Sequence, residues 1–299
     1  MTVVIAPLLG WVVGVLALHA LSGVLRAPVL QRSNYRGHQL ATGAGIVIVV
    51  SAIVGAAGAA LVGAVHANFA VLDGVSAAGI APPAVLLSVL GFGCLGMIDD
   101  LLFAGDDRGF RGHLRALSAG RLSTGAIKLL GGAALALTLA SHRSSAPGNR
   151  LAIVTMDAVI IALSANLGNL LDRAPGRTLK ASMFGFGLVA TAAVLGHTTD
   201  RLGAVGFVIG AGAALLHHDL CEHSMLGDTG ANPLGAVLGL AACATLSVGG
   251  RLVVLALTAG LNGLSEVVSF SKLIEKVGPL RWLDLLGVLP ERRAGVNAV

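Results

Sequence analysis

The sequence predicts an all-α fold: a polytopic membrane helical bundle of about nine transmembrane helices, N-terminus outside and C-terminus cytoplasmic. Three observations carry this expectation. The 299-residue chain is 55% hydrophobic, 12% charged and 4% aromatic, far from the usage of water-soluble domains. Its apolar residues gather into nine runs, each at or near the ~20 residues that cross a ~30 Å hydrocarbon core as a helix. Its 20 Lys and Arg residues lie between those runs or at their margins, and all but Arg143, Arg150, Arg201 and Arg251 fall in alternate connections. By the positive-inside rule the richer face is cytoplasmic. That face also holds nearly every carboxylate.

The runs lie near 3–25, 41–64, 83–103, 123–142, 151–171, 178–196, 202–217, 232–247 and 250–268. The first is too long for a signal-peptide core and no positive residue precedes it, so it reads as a retained helix with Arg26 behind it. The second carries Gly55, Gly58 and Gly63, suited to a small-residue packing seam. The third closes on Met97-Ile98-Asp99-Asp100, the fourth holds Lys128 near its start, and the fifth ends at Pro175-Gly176. The longest cytoplasmic connections are 99–122 and 217–231. Residues 1–268 form one transmembrane domain and 269–299 an amphipathic cytoplasmic tail, where Leu273, Ile274, Val277 and Leu280 oppose Lys272, Glu275 and Lys276 and Trp282 follows. Cys94, Cys221 and Cys243 have no paired spacing, so neither a disulfide nor a zinc site is expected. Cys94 and Cys243 read as small buried hydrophobes.

Four polar signals fall on the cytoplasmic side. Asp99-Asp100 puts two carboxylates at a membrane boundary, costly unless paired, hydrated or bound to a metal. Helical neighbours project about 100° apart, so one can face the interior while the other meets a cation; alone, the pair reads as a solvated helix end. Lys128 lies beyond a cationic loop and needs an anion, although most nearby arginines are ordinary positive-inside anchors. Asn166, Asn169 and Asp172 share one helical face, read either as interhelical hydrogen bonding or as a polar site. Gly227-Asp228-Thr229-Gly230 is either a glycine-rich turn or a hard oxygen ligand beside a helix start, suited to Mg²⁺ carried by a phosphate. His217, His218 and His223 precede it at irregular spacing and read as interfacial histidines.

Together these signals resemble the polyprenyl-phosphate hexosamine-1-phosphate transferases, the family of phospho-N-acetylmuramoyl-pentapeptide transferase. The likeness runs from the first cytoplasmic loop to about residue 239. Asn34-Tyr35-Arg36 with Thr42-Gly43-Ala44-Gly45 looks like the family's first loop. Asp99-Asp100 looks like its Asp-Asp motif, and Lys128 like its lysine in the next helix. Asn166, Asn169 and Asp172 match Asn-x-x-Asn-x-x-Asp, and Gly227 to Gly230 match the magnesium-binding Gly-Asp-x-Gly. The resemblance implies a transmembrane catalytic-type domain in the plasma membrane, its active face cytoplasmic. The implied reaction transfers a sugar-1-phosphate from a nucleotide-diphosphate sugar to polyprenyl phosphate. Asp99, Asp100, Lys128 and Asp172 are then catalytic. Asn34, Arg36, Asn166, Asn169, Arg173, Arg177 and Thr229 bind substrate, and Asp228 holds Mg²⁺.

The chain departs from the family in two places. Arg173 and Pro175 stand where the third motif continues with glycine and a second aspartate, and no histidine follows residue 223. Without that aspartate, weak discrimination of the nucleotide base is expected, with Arg173 and Arg177 contacting phosphate. The alternative is a non-catalytic membrane protein that binds polyprenyl phosphate or lipid-linked sugar as scaffold or regulator. A transporter ranks third, because only Asp157 reads as deep in a span. Basic residues spread over several loops argue against nucleic acid. The lipid bilayer and a homodimer complete the partner expectations.

Overall fold

The computed structural model describes residues 2–34, 37–69, 82–102, 124–143 and 149–289. Its long helices are α1 (Thr2–Ala20), α3 (Ile46–Phe69), α4 (Pro82–Leu102), α5 (Thr124–Arg143), α6 (Arg150–Leu171), α7 (Arg177–Leu195), α8 (Gly203–Leu220), α9 (Asp228–Thr245) and α10 (Val248–Ser265). A short α2 (Ser22–Leu25) continues α1, and α11 (Phe270–Lys276) and α12 (Gly278–Leu285) form the tail. Among the described residues, eight helices are long and apolar enough to cross a membrane; the run near 232–247, which becomes α9, is the one of the nine expected runs outside that set.

The exception is informative. Fifteen of the 18 residues of α9 are buried, including Thr229 and Asn232, and the helix packs on α3, α4, α6, α7 and α8. Protein surrounds it, so it tolerates polar residues that a lipid-facing helix could not. The outer helices show the converse. Leu16, Leu61, Phe184 and Leu195 are 65–78% exposed, as lipid contact requires and water would penalise. Helix ends are closed locally where they emerge: Asn149 Oδ1 accepts from the Ala152 N–H at 3.2 Å, and Ser247 Oγ from the Gly250 N–H at 3.3 Å.

Small residues set how closely the helices approach, but not where the sequence suggested. Gly58 and Gly63 face open space, and only Gly55 meets a neighbour, the ring of Phe207. The tight seam joins α1 to α8, where a methyl on Gly10 would overlap the backbone carbonyl of Phe207 and one on Gly210 that of Pro7. Cys243 is buried as expected. Cys94 is exposed on the outer surface of α4, since a small apolar thiol is as acceptable to lipid as to a core.

A feature absent from the sequence reading sits between α2 and α3. Strands β1 (Gln31–Ser33) and β2 (Gln39–Ala41) pair antiparallel, with Gln31 opposite Ala41. Residues 41–45 then zip onto 224–226. Met225 N–H donates to the Ala41 carbonyl at 2.7 Å, Ala44 N–H to Met225 at 3.1 Å, and Gly45 N–H to Leu226 at 2.9 Å. Non-helical backbone at this end is thereby satisfied before α3 enters the bundle.

Candidate functional site

The N-terminus of α9 is the organising point. Its first N–H groups lack helical partners and carry the positive end of the dipole. Asp100, at the end of α4, supplies the missing acceptor. Its Oδ1 accepts from the Asp228 N–H at 3.1 Å, and its Oδ2 from the Thr229 N–H at 3.0 Å and the Thr229 hydroxyl at 2.6 Å. Gly96, one turn earlier, is what lets α4 approach so closely, because a methyl there would overlap the Asp228 carbonyl.

Asp99 projects elsewhere, as the 100° offset requires, and meets the Lys128 ammonium at 3.3 Å. The same ammonium pairs with Asp228 Oδ2, while Asn169 donates to Asp228 Oδ1. Thus α4, α5, α6 and α9 each contribute one member of a cluster whose residues are up to 129 positions apart. The side chains of Lys128, Asp99 and Asp228 stay 21–23% exposed, so a ligand can reach them.

Beside the cluster opens a cleft of about 330 Å³, lined in part by Asn34, Asp100, Asp172, Arg173, Gly227 and Asp228. Burial pushes the Asp172 carboxyl well above the usual carboxylate range, and the carboxylates of Asp219, Asp228 and Asp100 push it further. The Arg173 guanidinium has no ion-pair partner among the described residues and is a candidate anion contact.

Three expected ligand contacts are otherwise engaged. Arg177 is turned from the cleft: Nε and Nη2 hold the two oxygens of Asp284 at 2.7 and 2.9 Å, and Nη1 donates to Ser271 Oγ at 3.1 Å. Asn166 donates to Asn262 Oδ1 of α10 at 2.6 Å, an interhelical bond that tethers an otherwise lipid-exposed helix. Thr229 is fully buried and commits its hydroxyl to Asp100. Asp100, expected to be catalytic, has both oxygens engaged by the start of α9. Arg36 lies outside the described residues, as do the arginines within 103–123.

Two acidic residues belong to the site that the sequence reading passed over. Asp219 accepts the Gly176 N–H at 2.6 Å and the Leu226 N–H at 3.3 Å, tying the turn after α6 to the segment before α9. Gly176, at φ 71°, permits this turn, and its missing side chain leaves room for Leu220. Glu222 accepts from Asn34 Nδ2 at 3.1 Å. Their signal was present as two carboxylates three apart at the end of an apolar run, masked by the histidines around them.

Among the described residues, no group of three or more His, Cys, Asp or Glu side chains is gathered to hold a metal ion alone. Magnesium ordinarily keeps water and substrate phosphate in its shell and takes one or two protein carboxylates. Asp228 and Asp172 fit that smaller requirement. Both line the cleft, the Asp228 carboxylate raises the cost of ionising Asp172, and a carboxylate has lone pairs beyond the two contacts Asp228 makes. No protein-family model matches the chain, and no curated protein matches it.

Proposed function

We propose that the chain is a magnesium-dependent transferase of the polyprenyl-phosphate hexosamine-1-phosphate transferase type. It would move a sugar-1-phosphate from a nucleotide-diphosphate sugar to polyprenyl phosphate on the cytoplasmic face of the plasma membrane. The observation that carries this reading is the Asp99–Lys128–Asp228–Asn169 cluster, assembled from four helices beside a cleft at the bundle end predicted to be cytoplasmic.

An oxygen of the lipid phosphate attacks the phosphorus that bears the sugar. The bridging P–O bond breaks, and nucleoside monophosphate leaves with the electron pair. The obstacle is bringing two anions together. Asp228 and Asp172 would hold magnesium, which would supply charge neutralisation at the diphosphate and so ease departure of the nucleotide. The Lys128 ammonium offsets the charge of the attacking phosphate, and Asp99 orients that phosphate or takes its proton. Asn169 holds the Asp228 carboxylate in place. Arg173 contacts donor phosphate, and because Pro175 offers no carboxylate to the base, discrimination between nucleotide bases is weak.

A second reading, a non-catalytic binder of lipid phosphate or lipid-linked sugar, draws on one observation: Lys128 and Asn169 already engage both oxygens of Asp228. Purified protein incubated with Mg²⁺, polyprenyl phosphate and a panel of nucleotide sugars separates the two. Release of nucleoside monophosphate by the wild type but not by folded Asp228→Asn supports transfer. Lipid phosphate bound without release by any donor favours the binder. For the orientation, a cysteine at position 150 should be labelled from outside intact cells and one at position 173 should not.

A further inference from the structure

On the other side of strand β2 lies a second cavity of about 270 Å³, which the transfer chemistry does not use. Helix α8 ends in a Schellman motif, with the Glu222 N–H bonded to the Asp219 carbonyl at 3.0 Å and the His223 N–H to the His218 carbonyl at 2.9 Å. Glu222 sits at φ 48°, a left-handed conformation that glycine normally fills. The consequence is a division of side chains. Glu222 turns into the first cleft toward Asn34, while His223 stacks edgewise over His218 with ring centroids 5.4 Å apart and lines the second cavity. Leu40 and Ser224 form the shared wall.

The second cavity has the chemistry of an amphiphilic anion site. Arg26, His218, His223 and Ser22 supply donors around it, and Leu18 and Leu25 supply apolar wall. No carboxylate lines it among the described residues, and the Arg26 guanidinium has no ion-pair partner among them. Its apolar wall comes from α1 and α2, whose neighbouring residues Leu16 and Val24 are open to lipid. Two histidines line it, and no group of three or more metal-ligating side chains occurs among the described residues. A phosphate diester suits it. Guanidinium forks match phosphate oxygens, imidazole N–H groups add neutral donors, and basic pockets between helix ends at a cytoplasmic boundary take phospholipid headgroups.

We propose that the cavity bounded by Arg26, His218 and His223 is a binding site for a phosphate ester, supplied by the headgroup of an anionic phospholipid. The site stands independently of the transferase reading. The test is native mass spectrometry of the full chain released from nanodiscs of phosphatidylglycerol and phosphatidylcholine. The wild type should retain phosphatidylglycerol in preference. Arg26→Ala and His218→Gln should each lower that retention by about tenfold, the scale of a lost charge-assisted contact. Arg150→Ala, at the opposite end of the bundle, should retain it as the wild type does. Displacement by soluble glycerol phosphate, lost in Arg26→Ala, would keep the phosphate chemistry and assign the source to solution. Equal retention by wild type, Arg26→Ala and His218→Gln would overturn the proposal.

Discussion

Arg177 and Asp284 form a two-pronged ion pair, 2.7 and 2.9 Å, that joins the first turn of α7 to the last turn of α12. Lys180, one turn further along α7, donates to the carbonyls of Leu283, Asp284 and Leu286 and so closes the C-terminus of α12. The tail is therefore docked on the bundle, not merely tethered to it. Its other surface, with Trp282, Leu283 and Leu286 50–64% exposed, is left for the membrane interface.

Removing one partner of this pair leaves a mostly buried charge unmatched. Arg177→Ala or Asp284→Ala should release the tail, seen as faster proteolysis after residue 269 with the bundle intact. The exchange Arg177→Asp with Asp284→Arg should restore much of the protection. Wild-type cleavage rates in both single variants would mean that apolar contacts alone hold the tail.

Asp99 and Asp100 are adjacent in sequence but should fail differently. Asp100→Ala strips three acceptor contacts from the start of α9 and should lower stability by about 2–3 kcal/mol, since buried donors are left unsatisfied. Activity should fall with it. Asp99→Asn keeps the shape and loses one charge facing Lys128, so turnover should drop while the melting temperature holds within a few degrees. A larger melting shift for Asp99→Asn than for Asp100→Ala would reverse the assignment.

The raised proton affinity of Asp172 sets the sign of a pH effect. The folded state holds this proton in a range where the unfolded chain has released it. The folded state thus binds more protons there, and its stability falls as pH rises from about 4 through that range. Without Mg²⁺, melting temperature should decline over this window, and Asp172→Asn should flatten the decline. Stabilisation by Mg²⁺ should grow with pH. Identical pH profiles for wild type and Asp172→Asn would show that this carboxyl does not drive the effect.

At the far end of α6, Asp157 is almost fully buried and both its oxygens lie 3.1 Å from Arg251 Nη1 of α10. With Asn166–Asn262 at the other end, this pair pins a helix that is otherwise nearly all lipid-facing. Asp157→Asn should cost about 3 kcal/mol, the low end for unpairing a buried charge. Adding Arg251→Gln should recover part of that loss, a coupling a double-mutant cycle would register. Additive losses would mean the two charges act separately.

Hydropathy runs alone were enough to place the helices of this bundle, because lipid forbids unsatisfied backbone and leaves only long apolar helices as spans. The diverging directions of Asp99 and Asp100 were legible for a similar reason, since helical geometry is local, whereas the single face expected of Asn166, Asn169 and Asp172 splits, with Asn169 on Asp228 and Asn166 on Asn262. What the sequence could not decide was which partner each polar group would meet. Arg177, Asn166 and Thr229 carry the same donors whether they face a ligand or a neighbour, and only the packing of α7 on the tail, α6 on α10 and α9 on α4 assigned them. The β1–β2 hairpin and the opposed directions of Glu222 and His223 were hidden for a further reason. They depend on one residue at positive φ and on backbone bonds between segments nearly 200 positions apart, and neither leaves a periodic trace in the sequence.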